Sequence, residues 1–166
     1  MILIVMGVSG CGKSTVGAAV AQKLNWEFQD ADDYHPPQNI AKMSKGIPLQ
    51  DADRQDWLLA LAALVREHEE HKKPLILACS ALKQAYRDVL ITSSEVKLVY
   101  LQGSLETIAQ RLAGREGHFM NPTLLESQFA ILEPPTDALV LNVALSLEAQ
   151  VEAICAYATP TSPAKN

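Results

Sequence analysis

Eight residues near the start of the chain constrain it most: Gly7-Val8-Ser9-Gly10-Cys11-Gly12-Lys13-Ser14 fits the pattern G-x-x-x-x-G-K-[ST]. The apolar run Ile2-Leu3-Ile4-Val5-Met6 before it reads as a buried strand, and Thr15 to Leu24 after it reads as a helix. Strand, glycine-rich turn and helix is the context in which this spelling forms a phosphate-binding loop. Glycines let consecutive backbone N–H groups turn inward around phosphate oxygens, and the start of the helix adds partial positive charge. The span Gly7, Val8, Ser9, Gly10, Cys11, Gly12, Lys13, Ser14 and Thr15 is therefore the expected nucleotide-phosphate cradle. Lys13 is placed to bridge the β- and γ-phosphates, and the Ser14 hydroxyl to ligate Mg²⁺. The motif leaves open where the terminal phosphate goes.

An anionic ligand must be met by local cations, because the chain as a whole is acidic. Its 14 Lys and Arg against 19 Asp and Glu give a net charge of −5, with a pI near 5.3. That balance argues against broad binding to nucleic acid or to acidic membrane. At 166 residues, 48% of them hydrophobic, the chain has the length of one domain with a real core. No apolar run is long enough to span a bilayer, and a core strand begins at once, so a cytoplasmic location is expected. Cys11, Cys79 and Cys155 are widely separated and odd in number, which predicts reduced thiols.

Strand-like and helical stretches alternate along the chain. After the first strand, Trp26 to Asp30, Leu75 to Cys79, Val96 to Leu101 and Leu139 to Leu141 read as strands. Helices are expected from Gln38 to Ser44 behind Pro36-Pro37, and from about Ala52 to Glu70 with Asp51 or Asp53 as cap. Further helices are expected at Leu82 to Ile91, Leu105 to Leu112, Pro122 to Leu132 after a capping Asn121, and Leu147 to Tyr157. Continuous apolar strands alternating with helices predict an α/β parallel sheet covered on both faces. Residues 1–158 are expected to form one domain, and 159–166, with two prolines and no apolar pattern, a disordered tail. Ligands of such sheets bind at the carboxyl ends of the strands. Gly7, Asp30 with Asp32, Cys79 with Ser80, and Gly103 all fall there.

Several polar residues on that edge suit phosphoryl transfer. Transfer to an alcohol uses one carboxylate beside the attacking hydroxyl and another that holds Mg²⁺ through water. Alternate residues of extended chain share a side, so Asp30 and Asp32 fit that pair, although an acidic helix-capping turn has the same spelling. Arg54 fits either a planar clamp on a carboxylate or an ion pair with Asp51 or Asp53. Arg87, one to two turns into its helix, reaches either the pocket or the surface. Arg111 and Arg115 share a helix face if the helix persists, where they serve adenine stacking and a short lid over phosphate, or complement the helix dipole. His68-Glu69-Glu70-His71 lacks the H-E-x-x-H spacing and reads as a solvated helix end, and Trp57 reads as core. A guanine-reading N-K-x-D block is missing, which argues against a GTP switch.

The blocks MGVSGCGKSTVG, DADDYHPPQNIAKMSKGIPLQDADRQDWL, ACSALKQAYRD, VYLQGS, RLAGREGHFMNPTLLESQF and LEPP, in this order, resemble the small phosphate-loop gluconokinases. The resemblance extends to about Pro135 and implies a P-loop NTPase fold of nucleoside-monophosphate-kinase type. That fold has five parallel strands in the order 2-3-1-4-5, helices on both faces and a short lid. It implies ATP and Mg²⁺ as cofactors, transfer to the 6-hydroxyl of D-gluconate, and a homodimer. By similarity to the related shikimate kinases, Asp32 orients the acceptor hydroxyl, Asp30 lies near Mg²⁺ with Ser14, and Arg54 grips the substrate carboxylate. Ser80 and Ala81 replace a glycine-rich turn at the substrate. Arg111 stacks on adenine, and Arg115 covers the phosphates beside Lys13. Gln128 stands where shikimate kinases carry another carboxylate-binding arginine, which argues against shikimate. His35, Lys42 and Arg87 are further candidates for contacts with the sugar acid.

Overall fold

The computed structural model describes residues 1–114 and 122–159. Its five strands are β1 (Ile2–Met6), β2 (Glu27–Asp30), β3 (Leu75–Ala78), β4 (Val96–Gln102) and β5 (Leu139–Asn142). All pair in parallel, in the order β2-β3-β1-β4-β5. The expected architecture and strand order are therefore present. The helices are α1 (Lys13–Leu24), α2 (Pro37–Ser44), α3 (Asp51–Glu70), α4 (Gln84–Leu90), α5 (Leu105–Ala113), α6 (Pro122–Ile131) and α7 (Leu147–Ala158). Asn121, Arg115 and the tail beyond Thr159 lie outside the described residues.

β1 is central, with Ile2 in register with Leu75 on one side and Val96 on the other. Side chains alternate across a strand, and here both faces are apolar. Ile2, Ile4 and Met6 pack with Leu61, Val65 and Trp57 of α3 and Leu90 of α4. Leu3 and Val5 pack on the other face with Val16 and Val20 of α1, Ile108 of α5 and Ile154 of α7. Burying such a side chain contributes about 1.5–3 kcal/mol, so a strand buried on both faces fixes its register strongly. That anchoring sets the position of the loop that leaves β1.

Three local expectations are corrected. Gln50, not Asp51 or Asp53, is the N-cap of α3; Asp53 sits three residues further on and accepts the Gln50 N–H at 2.8 Å. His68 is 5% exposed rather than solvated, with Nδ1 on the Leu64 carbonyl at 2.9 Å and Nε2 3.2 Å from Glu27. α4 starts two residues later than the apolar pattern predicts, because Ala81 adopts a left-handed φ of 44°. Arg87 holds that turn: its Nη1 donates to the carbonyls of Ala81 at 2.9 Å and Leu82 at 3.1 Å, and Nη2 to Gln84 at 3.0 Å.

Arg87 is 1% exposed, so it is a buried clamp on the β3–α4 turn and not a ligand of the cavity. Removing it strands the buried Ala81 carbonyl oxygen and breaks two further bonds, although the Leu82 carbonyl keeps the Glu133 N–H at 2.9 Å. We expect Arg87→Ala to lower unfolding free energy by about 3 kcal/mol, read from the urea midpoint. Unchanged stability with a selective rise in acceptor KM would return Arg87 to the pocket.

Candidate active site

The loop after β1 is shaped by backbone conformations that favour glycine. Gly7 has φ +148°, and a Cβ there would lie 2.6 Å from Cys11 Sγ and 2.9 Å from the Leu101 carbonyl oxygen. Gly12, at φ +100°, precedes α1 without a capping side chain, so the first-turn amides of α1 stay open to a ligand. Lys13 folds back, its Nζ donating to the Val8 carbonyl at 3.1 Å. Cys11, Cys79 and Cys155 are free thiols, as expected. Burial pushes the Cys79 thiol up to about 12, which keeps it neutral behind the site.

Asp30, at the end of β2, joins two parts of this edge. Its Oδ2 accepts from the Ser14 hydroxyl in α1, and its Oδ1 accepts the Asp32 N–H at 2.9 Å. Asp32 is not in extended chain as the alternation argument assumes. Residues Ala31–Tyr34 form a 3₁₀ turn that Asp30 caps. Asp32 faces the open cavity, yet protein surrounds it on its other sides. That desolvation, with Asp30 and Asp33 adding to it and Lys13 opposing, raises its carboxyl above the ordinary aspartate range.

His35 lies flat on Trp57, with ring centroids 4.5 Å apart and planes 8° from parallel. Trp57 is core, as expected, and its indole N–H donates to the Ala31 carbonyl at 2.7 Å. Burial, and the nearby Arg54 charge, lower the His35 pKa to about 4. Arg54 makes no ion pair with Asp51 or Asp53, which hold Lys83 at 2.9 Å and Lys42 at 2.8 Å instead. Its Nη1 donates to the Leu49 carbonyl at 2.7 Å and to Tyr86 Oη at 3.3 Å. The Nε and Nη2 edge has no hydrogen-bonded protein partner among the described residues. Gln128 of α6 grips the loop: Oε1 accepts the Ser9 N–H at 2.8 Å and Nε2 donates to Ser9 Oγ at 3.1 Å.

These groups line one cavity of about 430 Å³. Ser9, Lys13, Asp32, His35, Arg54, Ser80 and Gln128 meet there, with Met43, Leu49, Trp57 and Leu124 as apolar wall. Lys42 is turned away onto Asp53 and does not line it, which corrects its expected role. Arg111, in the last turn of α5, donates from Nη2 to the Val143 carbonyl beyond β5, apart from this cavity. A slightly larger hollow of about 500 Å³, lined by Asp88, Lys97, Asp137 and Tyr157, opens at the amino ends of the strands, away from the loop chemistry. Sequence reasoning missed the wall residues Met43, Leu124 and Ser127, and the partners Asn39 and Tyr86.

The class follows from where the loop opens. Its lysine faces the same open cavity as the Asp32 carboxyl, an arrangement that suits a phosphate-loop kinase for a small acceptor. Residues 9–133 match the family model described as shikimate kinase. The gluconokinase of Gluconobacter oxydans (strain 621H) is 47% identical over 136 residues, covering 81% of this chain and 76% of that protein. The thermoresistant gluconokinase of Escherichia coli (strain K12) is 41% identical over 155 residues, covering 90% and 89%. The crystal structure of a gluconokinase from Sinorhizobium meliloti 1021 superposes with a TM-score of 0.83 at 42% identity, covering 93% of this chain and 89% of that one. The chain belongs to the gluconokinase family, within the shikimate kinase type of domain.

The lowered His35 pKa has a consequence for stability. Between its unfolded value near 6.5 and its folded value of about 4, the unfolded chain binds the extra proton, so stability falls as pH falls through that window. The stability difference between wild type and His35→Gln should therefore shift against wild type from pH 7 to pH 4, measured by urea unfolding. A difference independent of pH would show that His35 titrates normally.

Proposed function

We propose that the chain transfers the γ-phosphoryl group of ATP to the 6-hydroxyl of D-gluconate, giving 6-phospho-D-gluconate and ADP. The observation that carries this reading is the shared cavity. Lys13 stands at its phosphate side, the raised-pKa carboxyl of Asp32 beside it, and the open edge of Arg54 supplies an anion site. An aldonic acid has the matching ends, a primary alcohol and a carboxylate.

In the reaction, Asp32 accepts the proton of the 6-hydroxyl while its oxygen bonds to the γ-phosphorus, and the bond to the β–γ bridging oxygen breaks to release ADP. Lys13 moves from the Val8 carbonyl to the phosphates, where it offsets the charge that develops. Arg54 holds the carboxylate through two N–H groups on one planar edge, which fixes the reacting alcohol in place. Ser80 and His35 border the polyol between these ends. Ser14 and Asp30 offer hard oxygen donors in contact with each other, which suits Mg²⁺. No cluster of three or more His, Cys, Asp or Glu forms a metal cage among the described residues, and Mg²⁺, which keeps waters and phosphate oxygens, does not require one. When bound, the ion neutralises charge on the phosphate oxygens.

Arg111 belongs to the same reading as an adenine contact, and Arg115, outside the described residues, as a cation over the transferring group. Gln128 is engaged with the loop at Ser9 rather than free for a second carboxylate contact, which argues for gluconate over shikimate. Among the described residues no helix is long and apolar enough to cross a membrane. With the acidic charge, that supports a cytoplasmic enzyme, and we infer a homodimer from the family resemblance.

ADP release with ATP·Mg²⁺ against gluconate, shikimate, adenylylsulfate and nucleoside monophosphates tests the reading. Gluconate should be turned over, and turnover of another member with gluconate untouched would overturn it. Asp32→Asn should lower kcat several hundredfold, about 3–4 kcal/mol, with little change in KM for ATP. Because the Asp32 carboxyl is raised, wild-type kcat should fall on acidification in a limb lying above the ordinary aspartate value of 3.8. Arg54→Lys should raise gluconate KM, since an ammonium cannot form the planar pair of bonds. An unchanged gluconate KM would remove Arg54 from the substrate.

A further inference from the structure

Asn39, in the first turn of α2, is 1% exposed, and its side chain settles the state of a cavity residue. Its Nδ2 carries two hydrogens and faces two acceptors, the Asp53 carbonyl at 2.7 Å and His35 Nδ1 at 3.3 Å. Reversing the amide would press Oδ1 against the Asp53 oxygen, two acceptors with no hydrogen between them. The Nδ2 assignment is therefore fixed by Asp53, and the second hydrogen points at His35. A nitrogen that accepts that hydrogen must hold a lone pair, so His35 Nδ1 is bare. A neutral imidazole with a bare Nδ1 carries its proton on Nε2.

Among the described residues nothing else competes for that proton. His35 Nε2 has no hydrogen-bonded protein partner among the described residues, while the ring lines the cavity and is held flat on Trp57. Burial and the Arg54 charge oppose a second proton on the ring. Asn39 Oδ1 is buried and without a partner, so the fold tolerates an unmet acceptor to keep the two bonds from Nδ2.

We propose that Asn39 is a positioning residue that locks His35 as the Nε2–H tautomer, making His35 a neutral donor to a hydroxyl oxygen of the acceptor's polyol chain. This rests on the gluconate reading for the identity of the acceptor, whereas the tautomer is a property of the free protein. The arrangement sorts acceptors by chemistry. An imidazolium beside Arg54 would make a second anion site and favour a doubly charged acceptor. A neutral N–H favours a hydroxyl instead, so the pocket takes one carboxylate at Arg54 and uncharged oxygens along the rest of the chain.

Long-range ¹H–¹⁵N correlation of the imidazoles at pH 7 tests the lock in the ligand-free protein, with the His35 signals identified by their loss in His35→Phe. A bare Nδ1 and a protonated Nε2 are expected. A proton on Nδ1, or on both nitrogens, overturns the proposal. His35→Phe keeps a ring against Trp57 but removes the donor, and should raise gluconate KM about tenfold with ATP KM unchanged. His35→Gln, which can place an amide N–H near the lost Nε2, should recover most of that loss. Asn39→Ala should raise gluconate KM in the same direction and show both tautomers in the spectrum. An unchanged gluconate KM in His35→Phe, or an unchanged tautomer in folded Asn39→Ala, overturns the proposal. Should Asn39→Ala fail to fold, the wild-type spectrum and the two His35 variants decide. If the acceptor is a different molecule, the gluconate assay fails while the spectrum still reports the lock, and the KM comparison is made on that acceptor.

Discussion

One carboxylate holds the two halves of the site together. Asp30 accepts from the Ser14 hydroxyl in the first turn of α1 and from the Asp32 N–H in the 3₁₀ turn. The first turn of α1 and the turn that carries Asp32 are therefore tied to each other through one side chain at a strand end. This works because β2 and β1 are carried by one twisted sheet with β3 between them, each pair in register. The sheet sets distances between strand ends to within the tolerance of a hydrogen bond, and Asp30 converts that into a relation between lysine and aspartate.

The polar side chains around the cavity divide into those that build it and those left available in it. Arg87 is engaged with Ala81, Leu82 and Gln84, and so holds a left-handed alanine where the chain turns from β3 into α4. Arg54 is engaged on one nitrogen only, with Leu49 and Tyr86, and Tyr86 is steadied in turn by Asp51. Asp51 also holds Lys83, and these bonds keep its carboxyl below the ordinary range. A guanidinium fixed at one corner keeps its direction without losing its other donors, which is how a site presents charge at low entropic cost.

The parallel sheet and the phosphate loop were legible in the sequence because they rest on continuous apolar runs and on a glycine spacing that suits a phosphate-binding turn, whereas the strand order came from the family resemblance alone. Asp32 and Ser80 were also legible as residues on the carboxyl edge of the sheet, and Arg54 as one of two open readings, while His35 and Gln128 entered through the family resemblance. What sequence reasoning missed depends on how side chains turn after the backbone is set. Arg87 and Lys42 carry the same charge as Arg54, but one is buried on the β3–α4 turn and the other reaches from α2 to Asp53 in α3. Nothing in spacing separates these outcomes. Asp32 shows the limit from another side: alternation in extended chain pointed to the right residue, yet the chain has already entered a 3₁₀ turn there. His68 became buried because Glu27 of β2 and the Leu64 carbonyl both meet it, a tertiary contact no helix-face pattern contains.

The central claim is that phosphate and acceptor meet in one cavity with a fixed polarity, alcohol at Asp32 and carboxylate at Arg54. A crystal structure with a non-hydrolysable ATP analogue, Mg²⁺ and gluconate tests it most directly. The account predicts the primary alcohol oxygen within hydrogen-bond distance of Asp32 and in line with the terminal phosphate, and the carboxylate on the Nε and Nη2 edge of Arg54. Gluconate bound in the reverse sense, or in a separate hollow while the analogue occupies the loop, would contradict it.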